Sequence, residues 1–296
     1  MNGTEVLIQQ LINGLEIGGL YALWAVAYGI VYQVLGLMHF AFGDTAIFAA
    51  YTGLGFILVL NLPLVVAIPL MLLVGAIISM IVERVAYAPL VARGERFSAF
   101  IAALGVAYIV RNITTLVWGA QTSTYPQFVP SGIINLGPFT VSLIGLFSLG
   151  VAVAVYISVA TFLKYSRHGQ AIVALEQDAE TAGLMGIPAA RMVTLVYAVS
   201  GVIAVLGTLI FVARFGLITP ADGFTITLKA FVAVLIGGVG RIEGAVAGGL
   251  LLGVLESLLT QYADPLFTDA IVFTILCVIL VVRPRGLMGR VQLVKL

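Results

Sequence analysis

Residues 62–82 read LPLVVAIPLMLLVGAIISMIV, a run without one charged side chain. At a 1.5 Å rise per residue a helix of this length covers ~30 Å, the thickness of a bilayer's hydrocarbon core. Its apolar residues fall on every side, whereas a helix on a water-soluble core would show a single apolar stripe. Comparable runs occupy residues 7–36, 40–60, 97–119, 139–163, 192–213, 224–238, 244–260 and 268–282. Of the 296 residues, 61% are hydrophobic and 9% charged, too little charge to keep a soluble domain of this size dissolved. The expected fold is therefore all-α, a polytopic membrane helix bundle with eight to ten spans, some of them interrupted by Gly and Pro, forming one transmembrane domain over residues 1–296.

One stretch breaks the apolar pattern. Residues 164–191, KYSRHGQAIVALEQDAETAGLMGIPAAR, carry three acids and three bases. Within it QAIVALEQDAE predicts a short helix with Ala171, Ala174 and Leu175 on one side and Glu176 and Glu180 on another, stopped by Gly186 and Pro188. A short amphipathic helix at a membrane surface fits a groove on a soluble partner, or else lies on lipid headgroups. Its acids argue against headgroups, because the inner leaflet is itself negative. Basic loops stay on the cytoplasmic side. Arg84, Arg93, Arg96, Lys164, Arg167, Arg191, Arg241, Arg283, Arg285, Arg290 and Lys295, eleven of the chain's 14 bases, mark that side and put the C-terminus in the cytoplasm.

Several function classes find no residues to stand on. A net charge of +1 leaves no basic footprint for nucleic acid, and the single cysteine, Cys277, excludes a disulfide framework within the chain. The N-terminus has no cleavage-type site after a short apolar core, so the first helix is expected to be retained. No phosphate loop of the GxxxxGK[ST] type occurs, and the glycine-rich GGVGRIEG lacks the required Lys and Ser/Thr. HExxH, GxSxG and a Cys/His cluster are absent too. His39 and His168 have no second ligand in view, so no metal or cofactor is expected.

Charges inside apolar runs point to a pathway, since an unpaired ion at bilayer depth is unfavourable and usually finds a partner or water. Glu16, His39, Asp44, Arg111, Lys229 and Glu256 are the candidates. Asp44 opens a run, where a carboxylate meets a helix N-terminus favourably. Arg111, followed by Asn112, and Lys229 lie near run ends, where long side chains snorkel. Glu256 has no base nearby in sequence, and Arg111 or Lys229 could meet it across the bundle. Gly43, and Gly237, Gly238, Gly240, Gly244 and Gly248 in LIGGVGRIEGAVAGG, mark either helix breaks facing a cavity or close helix packing through small residues four apart. The two glycine-rich regions could be corresponding parts of two internal halves.

Four ordered motifs, NGLEIGGLYAL (13–23), LMHFAFGD (37–44), GQAIVALEQDAETAGLMGI (169–187) and LKAFVAVLIGGVGRIEGAVAGGLLLGVLE (228–256), carry a resemblance that runs nearly end to end. The chain resembles the permease subunits of bacterial ATP-binding cassette importers for branched-chain amino acids, the LivH type. It departs from that pattern where His39, Phe42 and Asp44 replace Asn, His and Glu, where Val173 replaces Arg, and where Arg241 and Glu243 replace Ser and Pro. The resemblance implies a coupling loop for an ATPase subunit at residues 164–191, with Gly169, Ala174, Glu176, Asp178, Glu180, Ala182 and Gly186 in it. It further implies a second related permease subunit, two ATPase subunits, an extracytoplasmic substrate-binding protein, a place in the bacterial inner membrane, and no enzymatic step in this chain. The substrate would be a branched-chain or other hydrophobic amino acid, although similar permeases carry urea, amides or aromatic acids. The rival reading is a secondary transporter driven by an ion gradient, which would have no need of the polar loop. A channel-forming subunit would require a polar ring that the spans do not show.

Overall fold

The computed structural model describes residues 3–129, 132–262, 267–283 and 286–288. Helices dominate the described residues, nine of them growing from the nine apolar runs. In order they are α1 (Gly3–Leu35), α2 (Phe42–Leu58), α3 (Leu64–Val82), α4 (Ala88–Ala92), α5 (Arg96–Trp118), α6 (Leu143–Tyr165), α7 (Arg167–Gln177), α8 (Ala179–Leu184), α9 (Ala189–Phe215), α10 (Asp222–Gly237), α11 (Ile242–Tyr262) and α12 (Thr268–Val282). A single π-helical turn, Glu83–Tyr87, joins α3 to α4 without a break. Short strands fill two connections: β1 (Ser123–Thr124) pairs with β4 (Leu217–Ile218), and β2 (Ile133–Leu136) pairs with β3 (Phe139–Ser142), both antiparallel.

Six segments among the described residues are long and apolar enough to cross a membrane: Gly3–Leu35, Leu64–Ala92, Phe97–Trp118, Leu143–Tyr165, Ala189–Phe215 and Ile242–Tyr262. The remaining three apolar runs also fold as helices, but α2, α10 and α12 have only 17, 16 and 15 residues. At 1.5 Å per residue they reach about 25 Å, short of a full core. The chain is thus a polytopic all-α bundle in which six helices meet the length criterion, fewer than the eight to ten spans expected from the runs.

Two compact units divide the chain, one from residues 1–29, 129–156 and 229–296, the other from residues 30–128 and 157–228. In the first unit α11 is the central helix, packed through two glycine edges. Gly249 and Gly253 lie against Ala22 and Gly18 of α1, while Gly244 and Gly248 lie against Gly237 and Ala233 of α10. With no methyl on either edge, backbones touch and dispersion replaces the hydrophobic drive that lipid cannot supply. The β2–β3 hairpin is tied to α1 by Gln9, whose side-chain amide both accepts from the Thr140 N–H (2.9 Å) and donates to the Thr140 carbonyl (2.8 Å), as a peptide group would.

In the second unit α2, α3 and α9 form the core. Gly75 of α3 faces Gly201 of α9, and Met71 fills the space left by Gly53 of α2. Tyr51, Met71, Tyr197, Phe42 and Ile218 are fully buried there. The hydroxyls enclosed with them are satisfied by main chain: Tyr51 donates to the Ile218 carbonyl at 2.9 Å and Tyr125 to the Ala50 carbonyl at 3.3 Å.

Candidate functional site: a surface helix pair and buried charges

The polar stretch is not one helix but two. Ser166 caps α7, its hydroxyl accepting from the Gly169 N–H at 2.8 Å. At Asp178 the backbone extends (φ −159°, ψ 100°), ends α7 and begins α8. One carboxylate oxygen of Asp178 accepts from the N–H groups of Glu180 (3.1 Å) and Thr181 (3.0 Å), the other from the Thr181 hydroxyl (2.8 Å). That set satisfies first-turn donors of α8 that no helix can satisfy itself, which is why the chain bends here. At the far end Gly186 (φ +83°) closes α8: Ile187 N–H reaches the Ala182 carbonyl and Gly186 N–H the Gly183 carbonyl, the paired bonds of a left-handed C-terminal cap.

This pair has a seated side and an open side. Gly169, Ile172 and Leu175 are the buried residues of α7, and Ala182 that of α8, whereas Ala171 and Ala174 are only half-buried. The seat is tight at Gly169, where a methyl group would overlap the Phe162 carbonyl at the end of α6. Ile172 lines an apolar pocket together with Ile30, Val159, Phe162 and Val196. At its rim the Gln33 amide of α1 donates to the Glu176 carboxylate, so Glu176 belongs to the seat. Asp178, Glu180 and Gly186 are exposed, together with Leu184 (85%) and Met185 (80%).

The charges within apolar runs resolve into specific pairs. Asp44 sits in the first turn of α2, yet it does not cap that helix. Its buried carboxylate takes two bonds from Arg111 of α5, Nε to Oδ1 at 2.9 Å and Nη2 to Oδ2 at 3.2 Å. Arg111 also lies over the rings of Tyr108 and Phe224, 5.6 Å from each centroid, so it is paired and stacked instead of snorkelling. Beside Asp44, Gly43 packs on the Gly223 carbonyl, and its N–H donates to Thr227 Oγ1 at 2.8 Å.

Lys229 provides the partner of Glu256: Nζ donates to Glu256 Oε1 at 2.7 Å and to the Tyr21 hydroxyl at 2.8 Å. Glu16 is buried on α1 and accepts from the Ser142 N–H at 2.8 Å, so its carboxylate serves the N-terminus of α6, a different helix. His39 is enclosed by Phe42, Tyr87 and Tyr197, with Nδ1 2.9 Å from the Tyr87 hydroxyl. Next to that cluster stands Glu83, a buried carboxylate that sequence reading passed over; it accepts from the Thr194 hydroxyl at 2.8 Å. Its only sequence signal was an acid directly after an apolar run, which reads as the first residue of a loop. Among the glycines, Gly237, Gly244 and Gly248 pack helix on helix, while Gly238 (φ +107°) and Gly240 (φ +88°) make the turn between α10 and α11.

Comparison with known proteins places the chain among transport permeases. The profile of the family described as "Branched-chain amino acid transport system / permease component" matches residues 10–281. The chain belongs to this permease family. As a branched-chain amino acid transport permease component it is a translocation subunit and a multi-pass membrane protein. It is 31% identical to the high-affinity branched-chain amino acid transport system permease protein BraD of Pseudomonas aeruginosa, with 97% of each chain covered. To LivH of Escherichia coli (strain K12), a permease protein of the same description, it is also 31% identical, again over 97% of each. The fructose import permease protein FruG of Bifidobacterium longum is 26% identical over 77% of this permease and 69% of FruG. No solved structure matches the chain.

Proposed function

We propose that this permease moves branched-chain or other hydrophobic amino acids into the cytoplasm as one subunit of an ATP-binding cassette importer in a bacterial inner membrane. The observation that carries the proposal is the α7–α8 pair: capped at each end, seated on α1, α6 and α9 residues, and turning acids and two bare apolar side chains outward. A transporter powered by its own ion gradient has no use for such a rigid surface knob, whereas a subunit driven by a separate ATPase needs one. The loop over residues 164–191 then docks on an ATPase subunit, with Gly169, Ala174, Glu176 and Ala182 holding it in shape and Asp178, Glu180 and Gly186 on its open side.

In this reading residues 1–296 act as a single permease domain. It pairs with a second related permease, two ATPase subunits bind the cytoplasmic face, and an extracytoplasmic protein delivers substrate. The distribution of Lys and Arg supports a cytoplasmic C-terminus. Beside the six long helices, α2, α10 and α12 would enter the membrane without crossing the whole core. An amino acid is favoured over a sugar because the relatives named for branched-chain amino acids match almost the whole chain, and the one named for fructose matches less of it.

Uptake of radiolabelled leucine into vesicles containing this chain and its co-purifying partners tests the proposal. Leucine should accumulate only with internal ATP and should be unaffected by ionophores. Accumulation that follows an ion gradient without ATP would establish the secondary transporter instead, and competition by urea, a short amide or an aromatic acid would redirect the substrate class.

A further inference from the structure

Three helices of the first unit meet at one charged point. The glycine edges of α11 draw α1 and α10 close, and there Lys229 of α10 donates to Glu256 of α11 and to Tyr21 of α1, with Nζ 5.0 Å from the Tyr21 ring centroid. Tyr21 is itself stacked on Trp24 at 5.9 Å. The ions are not sealed in: the side chains of Lys229 and Glu256 keep 19% and 18% of their exposure. Both lie within apolar helical runs, where hydrocarbon against a charge is unfavourable, which favours water or a polar ligand at the open fraction.

The pair also has unused hydrogen-bonding capacity. An ammonium carries three donors, and Lys229 uses two of them. A carboxylate has two acceptor oxygens, and among the described residues only Oε1 of Glu256 receives a donor. Among the described residues one N–H of Lys229 and one oxygen of Glu256, of opposite formal charge, are therefore left over at the same ion pair. A zwitterionic α-amino acid offers the complement: a carboxylate for Lys229 and an ammonium for Glu256.

We infer that Lys229 and Glu256 form a transient substrate site for zwitterionic amino acids on the translocation path, an assignment that rests on the amino-acid reading above. Because each ion already satisfies the other, a ligand gains only the two spare bonds. Binding is accordingly weak, as a path that must release its cargo requires. Glu16 has a different role, since its carboxylate is occupied by the α6 main chain.

The test uses the complete importer reconstituted with its partner subunits and binding protein, comparing leucine moved per ATP hydrolysed. The variants are Lys229→Met with Glu256→Gln, which keeps shape and removes both charges, and Lys229→Glu with Glu256→Lys, which keeps a pair. Losing charged hydrogen bonds to the ligand should lower leucine per ATP about tenfold in the neutral variant, and the swapped pair should recover most of it. A pair that only holds helices together predicts otherwise: neutral, well-packed replacements of buried ion pairs are tolerated. Unchanged leucine per ATP in the neutral variant overturns the site. If the wild-type protein runs on an ion gradient, the energy source proposed above fails, and the same comparison per coupled ion still decides the site. A wild-type complex that carries no amino acid overturns both.

Discussion

Asp44 and Arg111 stand 67 positions apart and form a two-pronged ion pair in which the Asp44 side chain is wholly enclosed and the Arg111 side chain is 23% exposed. Such a pair is more expensive to break than to replace, because removing one partner strands the other charge. Arg111→Ala should lower stability in detergent by about 3 kcal/mol, whereas Arg111→Met combined with Asp44→Asn should fall within ~1 kcal/mol of wild type. Thermal unfolding of the purified protein, read by tryptophan fluorescence, gives both numbers. If the double variant is as unstable as the single one, the pair holds the α2 N-terminus in a way that charge neutralisation cannot replace.

Glycines of similar appearance should respond in opposite ways. A methyl group on Gly248 would run into the Ala233 carbonyl of α10, but nothing lies within 4 Å of one on Gly105 in α5. Gly248→Ala must push two helices apart and should destabilise by about 2 kcal/mol, in the range of overpacked cores. Gly105→Ala relieves backbone entropy and should stabilise by ~0.5 kcal/mol. Melting temperatures of the two variants, measured side by side, should move in opposite directions.

The sequence made the helices legible and their partners illegible. Residues 62–82 and 268–282 reappear as α3 and α12 with nearly the same ends, because an unbroken apolar run admits little else in a membrane. Lys229 and Glu256 each stand out against apolar neighbours, yet only the fold pairs them, since 27 positions and a tight turn separate them. The bend at Asp178 does not announce itself, because QDAE contains neither Gly nor Pro. Its signal was an Asp followed three positions later by a Thr able to share the cap. Glu83 escaped for a different reason: it follows an apolar run, where a charge normally announces a loop, but the helix continues through a π turn and hands the carboxylate to Thr194.

Asp178 offers a sharp test of the helix pair. Asp178→Ala removes the acceptor of the Glu180 and Thr181 amides, a loss worth about 1 kcal/mol at a helix start, and Asp178→Asn keeps an acceptor in place. Hydrogen exchange at those two amides should quicken about fivefold in the alanine variant and stay near wild type in the asparagine variant. Equal protection in both would mean that contacts of Ala182, not the cap, hold α8.

The two faces of the α7–α8 pair should separate in their effects on transport. Glu180, Leu184 and Met185 are exposed, so Glu180→Lys, or Leu184→Ser with Met185→Ser, should leave the protein abundant in the membrane. If an ATPase subunit docks there, either variant should reduce ATP-driven leucine uptake about tenfold or more, as central, fully desolvated contacts do. Glu176→Lys acts elsewhere. It breaks the bond to Gln33 and puts a cation at the rim of an apolar pocket, so it should lower abundance together with uptake. Uptake and membrane level, measured on the same vesicles, distinguish these outcomes. Normal uptake by the Leu184/Met185 variant would remove α8 from the docking surface, because no other interaction in the described residues covers its tip.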